Sequence, residues 1–180
     1  MAQPFKYCPM CASPMTIHVP RGDGHPREIC DHCGYVHYVN PLPVVGTIPV
    51  WKDKVLLCRR AIEPRKGFWT LPAGYMENKE SLKDGAKRET WEESGAHIEV
   101  KDLLTLIDVP QASQVHFYYI AELLDLDWEP GPETFEQQLF SEEEIPWDEI
   151  SFTTVKTTLE HYFADRRKGA FKLHSYSLTC

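Results

Sequence analysis

The chain of 180 residues is long enough for one full domain, or for one domain and a small module. Its hydrophobic content of 42% is ordinary for a globular protein, and its net charge of −8 argues against broad electrostatic binding to nucleic acid, which needs a basic face. The sequence has no apolar run of membrane length, and residues 1–11 lack the apolar core of a signal peptide. We therefore expect a cytoplasmic protein without a membrane partner.

Four of the six cysteines form two C-x-x-C pairs, Cys8/Cys11 and Cys30/Cys33, separated by eighteen residues. Each pair presents two thiolates, and two such pairs close a tetrahedron around Zn²⁺. The alternative is disulfide bonding, which a reducing compartment disfavours. The spacing predicts a zinc ribbon at residues 1–38 with a structural Zn²⁺ and short strands near residues 15–19 and 27–29.

A proline-containing linker, residues 39–43, separates this unit from a second domain predicted at residues 44–168. The second domain begins with apolar segments that predict strands at residues 44–51, 55–60 and 68–71.

Four residues near the ends of these strands are candidate substrate contacts. Arg59 and Arg60 face opposite sides of one strand, so one of them is a candidate for binding a phosphate, the alternative being a surface arginine. Phe68 and Trp69 are candidate contacts for a base or sugar, the alternative being core residues.

A helix of about thirteen residues is predicted after Ser81, which with Asp84 resembles a capping pair, and it ends at Gly95. At about 100° per residue, Glu92 and Glu93 lie within about 60° of Glu89, together with the small and apolar residues of the helix, whereas the lysines and Ser94 lie opposite. Carboxylates on an inward arc need partners, and a hard divalent cation suits oxygen ligands. The alternative is a solvated helix with salt bridges.

The rest of the chain predicts three more strand regions, a second helix and a tail. The strand regions are residues 97–109, with a break near residue 101, 115–124 and 134–140. The helix spans residues 153–168. Residues 169–180 form a tail, for which a strand is one alternative and to which the sequence assigns no role.

The acidic helix belongs to a longer pattern, in which Gly74 is followed at fixed spacings by Glu80, Arg88-Glu89, Glu92-Glu93 and Gly95. This pattern resembles the signature of the Nudix hydrolases, which cleave nucleoside diphosphates linked to another moiety. The chain departs from it at Thr90, Ala96 and Lys79, positions that concern packing and turn shape.

The resemblance implies an α+β fold, an α/β/α sandwich with a mixed sheet against which the motif helix packs. It also implies that Glu89, Glu92 and Glu93 bind Mg²⁺ or Mn²⁺, helped by the Gly74 carbonyl and Glu80.

By the same resemblance, Arg88 orients the glutamates rather than contacting the metal. Glu92, Glu93 and the downstream Glu136 are candidates for the general base, and Asp108 and Glu133 are weaker ones. The alternative for Glu136 is a solvent-facing residue of its strand.

With its ribbon, the chain resembles zinc-ribbon members of the family, which include NADH pyrophosphatases and the FAD/ADP-ribose pyrophosphatases of plant chloroplasts. The Ser-Gln-Pro-Trp-Pro-Phe-Pro run of the first group is absent, because Ser113-Gln114 leads directly into Val115-His116-Phe117. The segments GFWTLPAGYMEN and RETWEESGA are similar to the second group.

We therefore expect Mg²⁺-dependent hydrolysis of FAD or ADP-ribose that releases AMP. The alternatives are an NADH or NAD-cap pyrophosphatase and, from another class, a non-catalytic nucleotide sensor or a nucleic-acid adaptor. The expected partner is a small-molecule nucleotide, with no nucleic acid, and homodimerisation through the ribbon or a sheet edge is compatible with the sequence.

Overall fold

The computed structural model describes residues 4–178, so Cys180 and the outer ends of the predicted ribbon and tail lie outside the described residues. The contacts divide the chain into two compact units, Met1–Pro41 and Leu42–Cys180. No helix among residues 4–178 is both long and apolar enough to cross a membrane.

The first unit is a small antiparallel sheet of three strands in the order β1-β2-β3. The strands are β1 (Thr16–His18), β2 (Arg27–Ile29) and β3 (Val36–His37). The sequence predicted the first two. The third has only two residues, which is too short for a periodic pattern to indicate it.

The second unit is built on an eight-stranded mixed sheet. Its strands are β4 (Leu42–Trp51), β5 (Lys54–Arg60), β6 (Trp69–Thr70), β7 (Ala73–Tyr75), β8 (Ile98–Val109), β9 (Gln114–Leu123), β10 (Thr134–Phe140) and β11 (His174–Ser177). The order is β10-β5-β4-β9-β8-β11, with β6 paired to β5 and β7 paired to β4. The β4–β9 and β8–β11 pairs are parallel and the others are antiparallel.

Two helices cover the two faces of this sheet, α1 (Leu82–Ser94) and α2 (Thr153–Lys168). On one face Val45 and Tyr119 pack against Ala86 of α1. On the other face Ile48 packs in one cluster with Leu159 and other residues of α2. The predicted α+β sandwich with a mixed sheet is therefore confirmed.

The structure differs from the sequence-based elements at β8. Strand β8 continues through the expected break, with register shifts between Val100 and Leu103 and between Leu103 and Thr105, because bulges absorb the irregularity without ending the strand. The strand that the sequence left open for the tail is present in part, since β11 pairs in parallel with β8 at the edge of the sheet.

Candidate active site

Small side chains set the orientation of α1 on the sheet. The buried residues of the helix are Gly85, Ala86, Thr90 and Ser94, and the hydroxyls of Thr90 and Thr47 on β4 lie 2.6 Å apart. The expected outward position of Ser94 is wrong, because its hydroxyl donates to the Thr90 carbonyl within the helix and needs no water. The buried face of α1 is therefore rotated towards Ser94 and away from Glu92. Glu92 lies at the solvent-exposed edge of that face, with 48% of its side chain exposed.

Strand β7 brings Gly74 against the carboxylate of Glu89. The strand pairs with β4, where Gly74 lies opposite Val45. A Cβ atom at position 74 would overlap the Glu89 carboxylate. Glycine therefore permits the close approach of this backbone and the carboxylate, and a larger residue would displace the Glu89 carboxylate from its present position.

Arg88 connects the acidic residues of the signature. Its Nε and Nη2 atoms donate to the two oxygens of Glu80 at 3.0 and 2.8 Å. Its Nη1 donates to Glu89 Oε1 at 2.7 Å and to Glu92 Oε2 at 3.0 Å, and Nη2 also donates to the Tyr75 carbonyl at 3.0 Å. The hydrogen bonds from Arg88 lower the pKa of the Glu80 carboxyl. Both oxygens of Glu80 thus hold Arg88, and its Oε1 also accepts a hydrogen bond from the Glu77 backbone N–H at 2.6 Å.

Glu93 lies deeper than the other acids of the helix. Its Oε2 accepts a hydrogen bond from the Ala73 backbone N–H at 3.1 Å. Burial raises the pKa of Glu93 to about 8, and burial also raises the pKa of Glu89. Burial removes the water that would stabilise the charged carboxylates, and a bound cation would stabilise them instead.

Each of the three glutamates of α1 has one carboxylate oxygen without a hydrogen-bond donor. Glu89 Oε2, Glu92 Oε1 and Glu93 Oε1 accept no hydrogen bond from residues 4–178. Carboxylate oxygens of this kind are the ligands that Mg²⁺ and Mn²⁺ prefer, so the residues present fit such a cation. The ligand oxygens of the three glutamates are not all within 4.8 Å of one another. Among the described residues, only the four cysteines of the first unit form such a close group.

A cavity of about 900 Å³ opens in front of these carboxylates, and we call it the acidic cavity. Glu89, Glu92 and Glu93 line it on one side, and the loop of residues 129–133 lines it on the other. Gly131 holds this loop on α1, because its N–H donates to the Glu93 carbonyl at 3.0 Å and a Cβ atom there would overlap the Glu92 carbonyl oxygen. The loop thereby brings Glu133 to the cavity.

A second cavity of about 770 Å³ adjoins the first, and we call it the apolar cavity. It lies between β9, the start of α2 and the loop after β5. The two cavities share a wall formed by Arg60, Ile62, Ala73, Gly74 and Tyr75. A ligand can therefore extend from one cavity to the other past these residues.

The structure separates the two candidate arginines. Arg60 lines both cavities, with its guanidinium 5.2 Å from the Phe152 ring centre and its Nε donating to the Pro64 carbonyl. Arg59 faces the other side of β5, where it donates to the Gly67 carbonyl and pairs with Glu136. Of the two, Arg60 alone is placed to meet a ligand in these cavities.

Three of the candidates for substrate contact and general base line neither cavity: Phe68, Trp69 and Glu136. Trp69 is buried in the core, edge-on to Phe140, and Phe68 is half-buried beneath Arg65. The exposed carboxylate of Glu136 pairs with Arg59 on β10. Trp69 is thus a core residue and Glu136 a solvent-facing residue, which are the alternatives that the sequence left open.

The first unit carries a metal-binding arrangement of four thiols. Cys8 Sγ lies 3.6 Å from Cys33 Sγ, and Cys11 Sγ lies 3.5 Å from Cys30 Sγ. These distances exceed a disulfide bond of about 2.05 Å and approach the edge of about 3.8 Å expected for sulfurs around Zn²⁺. The thiols therefore fit a tetrahedral zinc site.

Some residues of the two cavities were not found from the sequence. Tyr75, His116 and Phe152 line the apolar cavity, and Glu133 was only a weak candidate for the acidic one. The alternation of β9 predicts that Gln114, His116 and Tyr118 share a face, but it does not indicate which face meets a cavity.

Comparison with known protein families matches both units. The model described as NUDIX domain matches residues 40–165, and the model described as Nudix N-terminal matches residues 6–39.

Among characterised relatives, the chain is 26% identical over 168 residues to the NAD-capped RNA hydrolase NudC of Vibrio parahaemolyticus, covering 92% of this chain and 62% of that protein. It covers 34% of a second NudC, from Chromobacterium violaceum. It is 28% identical over 116 residues to the ADP-ribose pyrophosphatase of Methanocaldococcus jannaschii, covering 62% of this chain and 69% of that one. The chain thus spans less than two thirds of the NudC proteins it matches.

Among solved structures, a NUDIX hydrolase from Nitrosomonas europaea is 46% identical, with a TM-score of 0.91, covering 97% of this chain and all of that one. Because the NUDIX domain model spans well over half of the 180 residues, and the site described above lies within it, the chain belongs to the Nudix hydrolases.

Proposed function

We propose that the protein hydrolyses the pyrophosphate bond of ADP-ribose or FAD in a Mg²⁺-dependent reaction and releases AMP. One observation carries this proposal: three carboxylates with free oxygens face a cavity that adjoins a second, largely apolar cavity through a shared wall. This arrangement suits a substrate with a charged diphosphate between less polar groups. The similarity to an ADP-ribose pyrophosphatase supports the same substrate class.

Glu89, Glu92 and Glu93 would hold the cation through their free oxygens, with the Gly74 carbonyl beside them. A bound Mg²⁺ supplies charge neutralisation at the diphosphate and a more acidic water. Arg88 fixes the direction of Glu89 and Glu92, and Glu80 fixes Arg88. A cation held by these acids is consistent with a net charge of −8, because an acidic protein otherwise repels a diphosphate.

Two further residues take part in the proposed reaction. Arg60 binds a phosphate oxygen at the wall between the cavities, where its guanidinium is already held by Phe152 and Pro64. Glu133, on the loop opposite the helix, accepts the proton of the attacking water. Zn²⁺ bound by the four cysteines has a structural role, since four thiolates leave no open coordination position.

The proposal is tested by incubating the purified full chain with Mg²⁺ and either ADP-ribose or FAD and measuring AMP release. We expect AMP from at least one of them, loss of activity with EDTA, and recovery when Mg²⁺ is restored. Glu93→Gln should lower kcat at least about 100-fold, whereas Glu143→Gln, at an exposed glutamate, should keep wild-type activity. Absence of AMP from both compounds would refute the proposal.

A second candidate, hydrolysis of NADH or of NAD-capped RNA, is favoured by the similarity to NudC over 92% of this chain. Against it, Gln114 begins β9 directly after Ser113, with no room for the proline-rich run of the NADH pyrophosphatases. Measuring kcat/KM for NADH, NAD-capped RNA, ADP-ribose and FAD side by side decides between the two. Higher kcat/KM values for NADH or NAD-capped RNA would favour the second candidate over hydrolysis of ADP-ribose or FAD.

A further inference from the structure

One histidine in the wall of the apolar cavity has no role in the proposed hydrolysis. Residues of β9 alternate between the two faces of the sheet, so that Gln114, His116 and Tyr118 line the cavity while Phe117 and Tyr119 face α1. His116 lies opposite Val44 of β4, close to the wall that the two cavities share.

A chain of hydrogen bonds fixes the tautomer of this histidine. Gln114 Nε2 donates to the hydroxyl of Tyr75 at 2.9 Å, which leaves Gln114 Oε1 as an acceptor. His116 Nε2 lies 2.9 Å from that oxygen and must therefore carry a proton. Burial lowers the pKa of His116 to about 4, so the ring is neutral at physiological pH and Nδ1 has an unshared electron pair.

This nitrogen is an acceptor without a donor. His116 Nδ1 is buried and has no hydrogen-bond partner among the described residues. Buried polar atoms in folded proteins are normally paired, so an unpaired acceptor on a ring that lines a cavity points to a ligand that supplies the donor.

The remaining walls suit a flat ring. The Phe152 ring lies against the Arg60 guanidinium at one side, and Tyr75 is held in place by Gln114 at another. A cavity of about 770 Å³ has ample space for a nucleoside.

We propose that the apolar cavity binds the adenine of the substrate and that His116 Nδ1 accepts a hydrogen bond from its 6-amino group, which makes His116 a specificity-determining residue. The assignment rests on the proposed function, because it places the AMP portion of ADP-ribose or FAD in this cavity and the diphosphate beside Arg60. Gln114 is a positioning residue, since it keeps the proton on Nε2.

The test compares the binding of AMP and of purine riboside 5′-monophosphate, which lacks the 6-amino group, to the full chain without Mg²⁺, by calorimetry. We expect the wild type to bind AMP about tenfold more tightly or better, and His116→Phe to bind the two compounds equally. Equal affinities in the wild type, or an unchanged preference in His116→Phe, would overturn the proposal.

Gln114→Leu provides a test in which the histidine stays in place. Without the glutamine acceptor the imidazole loses the hydrogen bond that orients it, so the preference for AMP should fall although the cavity keeps its imidazole. A preference retained in Gln114→Leu would contradict the positioning role of Gln114, and this variant also serves if His116→Phe fails to fold. Because neither measurement needs turnover, a failure here is distinguishable from a failure of the proposed hydrolysis.

Discussion

Arg88 and Glu80 form a bidentate pair, in which two guanidinium nitrogens donate to the two oxygens of one carboxylate at 3.0 and 2.8 Å. Only 15% of the Glu80 side chain is exposed. The pair holds the third nitrogen of Arg88 against Glu89 and Glu92. A residue outside the proposed metal site thus determines the direction of two of its proposed ligands.

Replacing this arginine by lysine should weaken the cation site without removing an acid. Lysine cannot make the planar two-fold contact, so Glu89 and Glu92 lose their common support. We expect Arg88→Lys to lower Mg²⁺ affinity and activity about 10- to 100-fold, measured by calorimetry and by the Mg²⁺ dependence of kcat. Lys87→Arg, on the exposed side of the same helix, is the matched control, and equal effects of the two changes would contradict the role of Arg88.

The two neighbouring arginines of β5 should respond differently to the same substitution. Arg60→Met removes the cation at the wall between the cavities and should raise KM about 10- to 100-fold, because a charge-assisted hydrogen bond to phosphate is lost. Arg59→Met should raise KM much less, since Arg59 pairs with the exposed Glu136 on the other side of the strand. Steady-state kinetics with ADP-ribose measures both, and a larger rise in KM for Arg59→Met would reverse the assignment.

Two glutamates that are three residues apart, Glu133 and Glu136, are alternative candidates for the general base. Glu133 lines the acidic cavity, whereas Glu136 is on β10 and paired with Arg59. We expect Glu133→Gln to lower kcat about 10²- to 10⁴-fold, because the attacking water would lose its proton acceptor. If Glu136→Gln shows that pattern instead, the base lies on β10.

Removal of the metal should make the four cysteines of the first unit reactive towards thiol reagents and leave Cys58 unreactive. The purified chain is expected to contain one Zn²⁺, measured by mass spectrometry. A chelator should then expose Cys8, Cys11, Cys30 and Cys33 to a thiol reagent under native conditions. Cys58 should stay unreactive, because it is fully buried in β5 and burial raises the pKa of its thiol. Modification of Cys58 at the same rate as the other four would contradict this division.

A buried carboxylate should connect the stability of the tail to pH. Asp165 of α2 is 1% exposed and accepts hydrogen bonds from His174 Nε2 at 2.7 Å and from the Lys172 N–H at 3.1 Å. Burial raises the pKa of Asp165, but the hydrogen bonds from His174 and Lys172 outweigh it, so that the pKa lies below its ordinary value. Asp165→Asn is expected to lower the free energy of unfolding by about 2 kcal/mol at pH 7.

The sign of the pH effect follows from the lowered pKa. The contribution of Asp165 is fully present above its unfolded pKa of about 3.9 and is lost as the pH falls through the lower folded value. Urea unfolding of the wild type and of Asp165→Asn should therefore converge below about pH 4. Asp148→Asn, at an exposed position, is the control and should have no such pH dependence.

Much of the fold could be predicted from the sequence because its signals are local. Ser81 caps α1 by accepting a hydrogen bond from the Asp84 N–H, and Gly95 ends it with a positive φ of 65°, as the residue types indicate. Strand β10 and helix α2 have the predicted bounds, Thr134–Phe140 and Thr153–Lys168.

The rest depends on contacts between distant parts of the chain. Alternation places Arg59 and Arg60 on opposite sides of β5, but the loop after β5 and the start of α2 decide which side is a cavity. The hydrogen-bond chain from Tyr75 to Gln114 spans 39 positions, and no local pattern indicates it. Ser94 is buried because its hydroxyl bonds within its own helix, which a helical projection does not consider.

The wall shared by the two cavities limits how such an enzyme can change its preferred substrate. A substitution at Arg60, Gly74 or Tyr75 reaches both cavities at once. Affinity for the nucleoside that we place in the apolar cavity and the rate of hydrolysis would then change together. Substitutions at His116 or at Thr153 reach the apolar cavity alone. New substrates are therefore most readily acquired by replacing residues of β9 and the first turn of α2, where selectivity can evolve without loss of turnover.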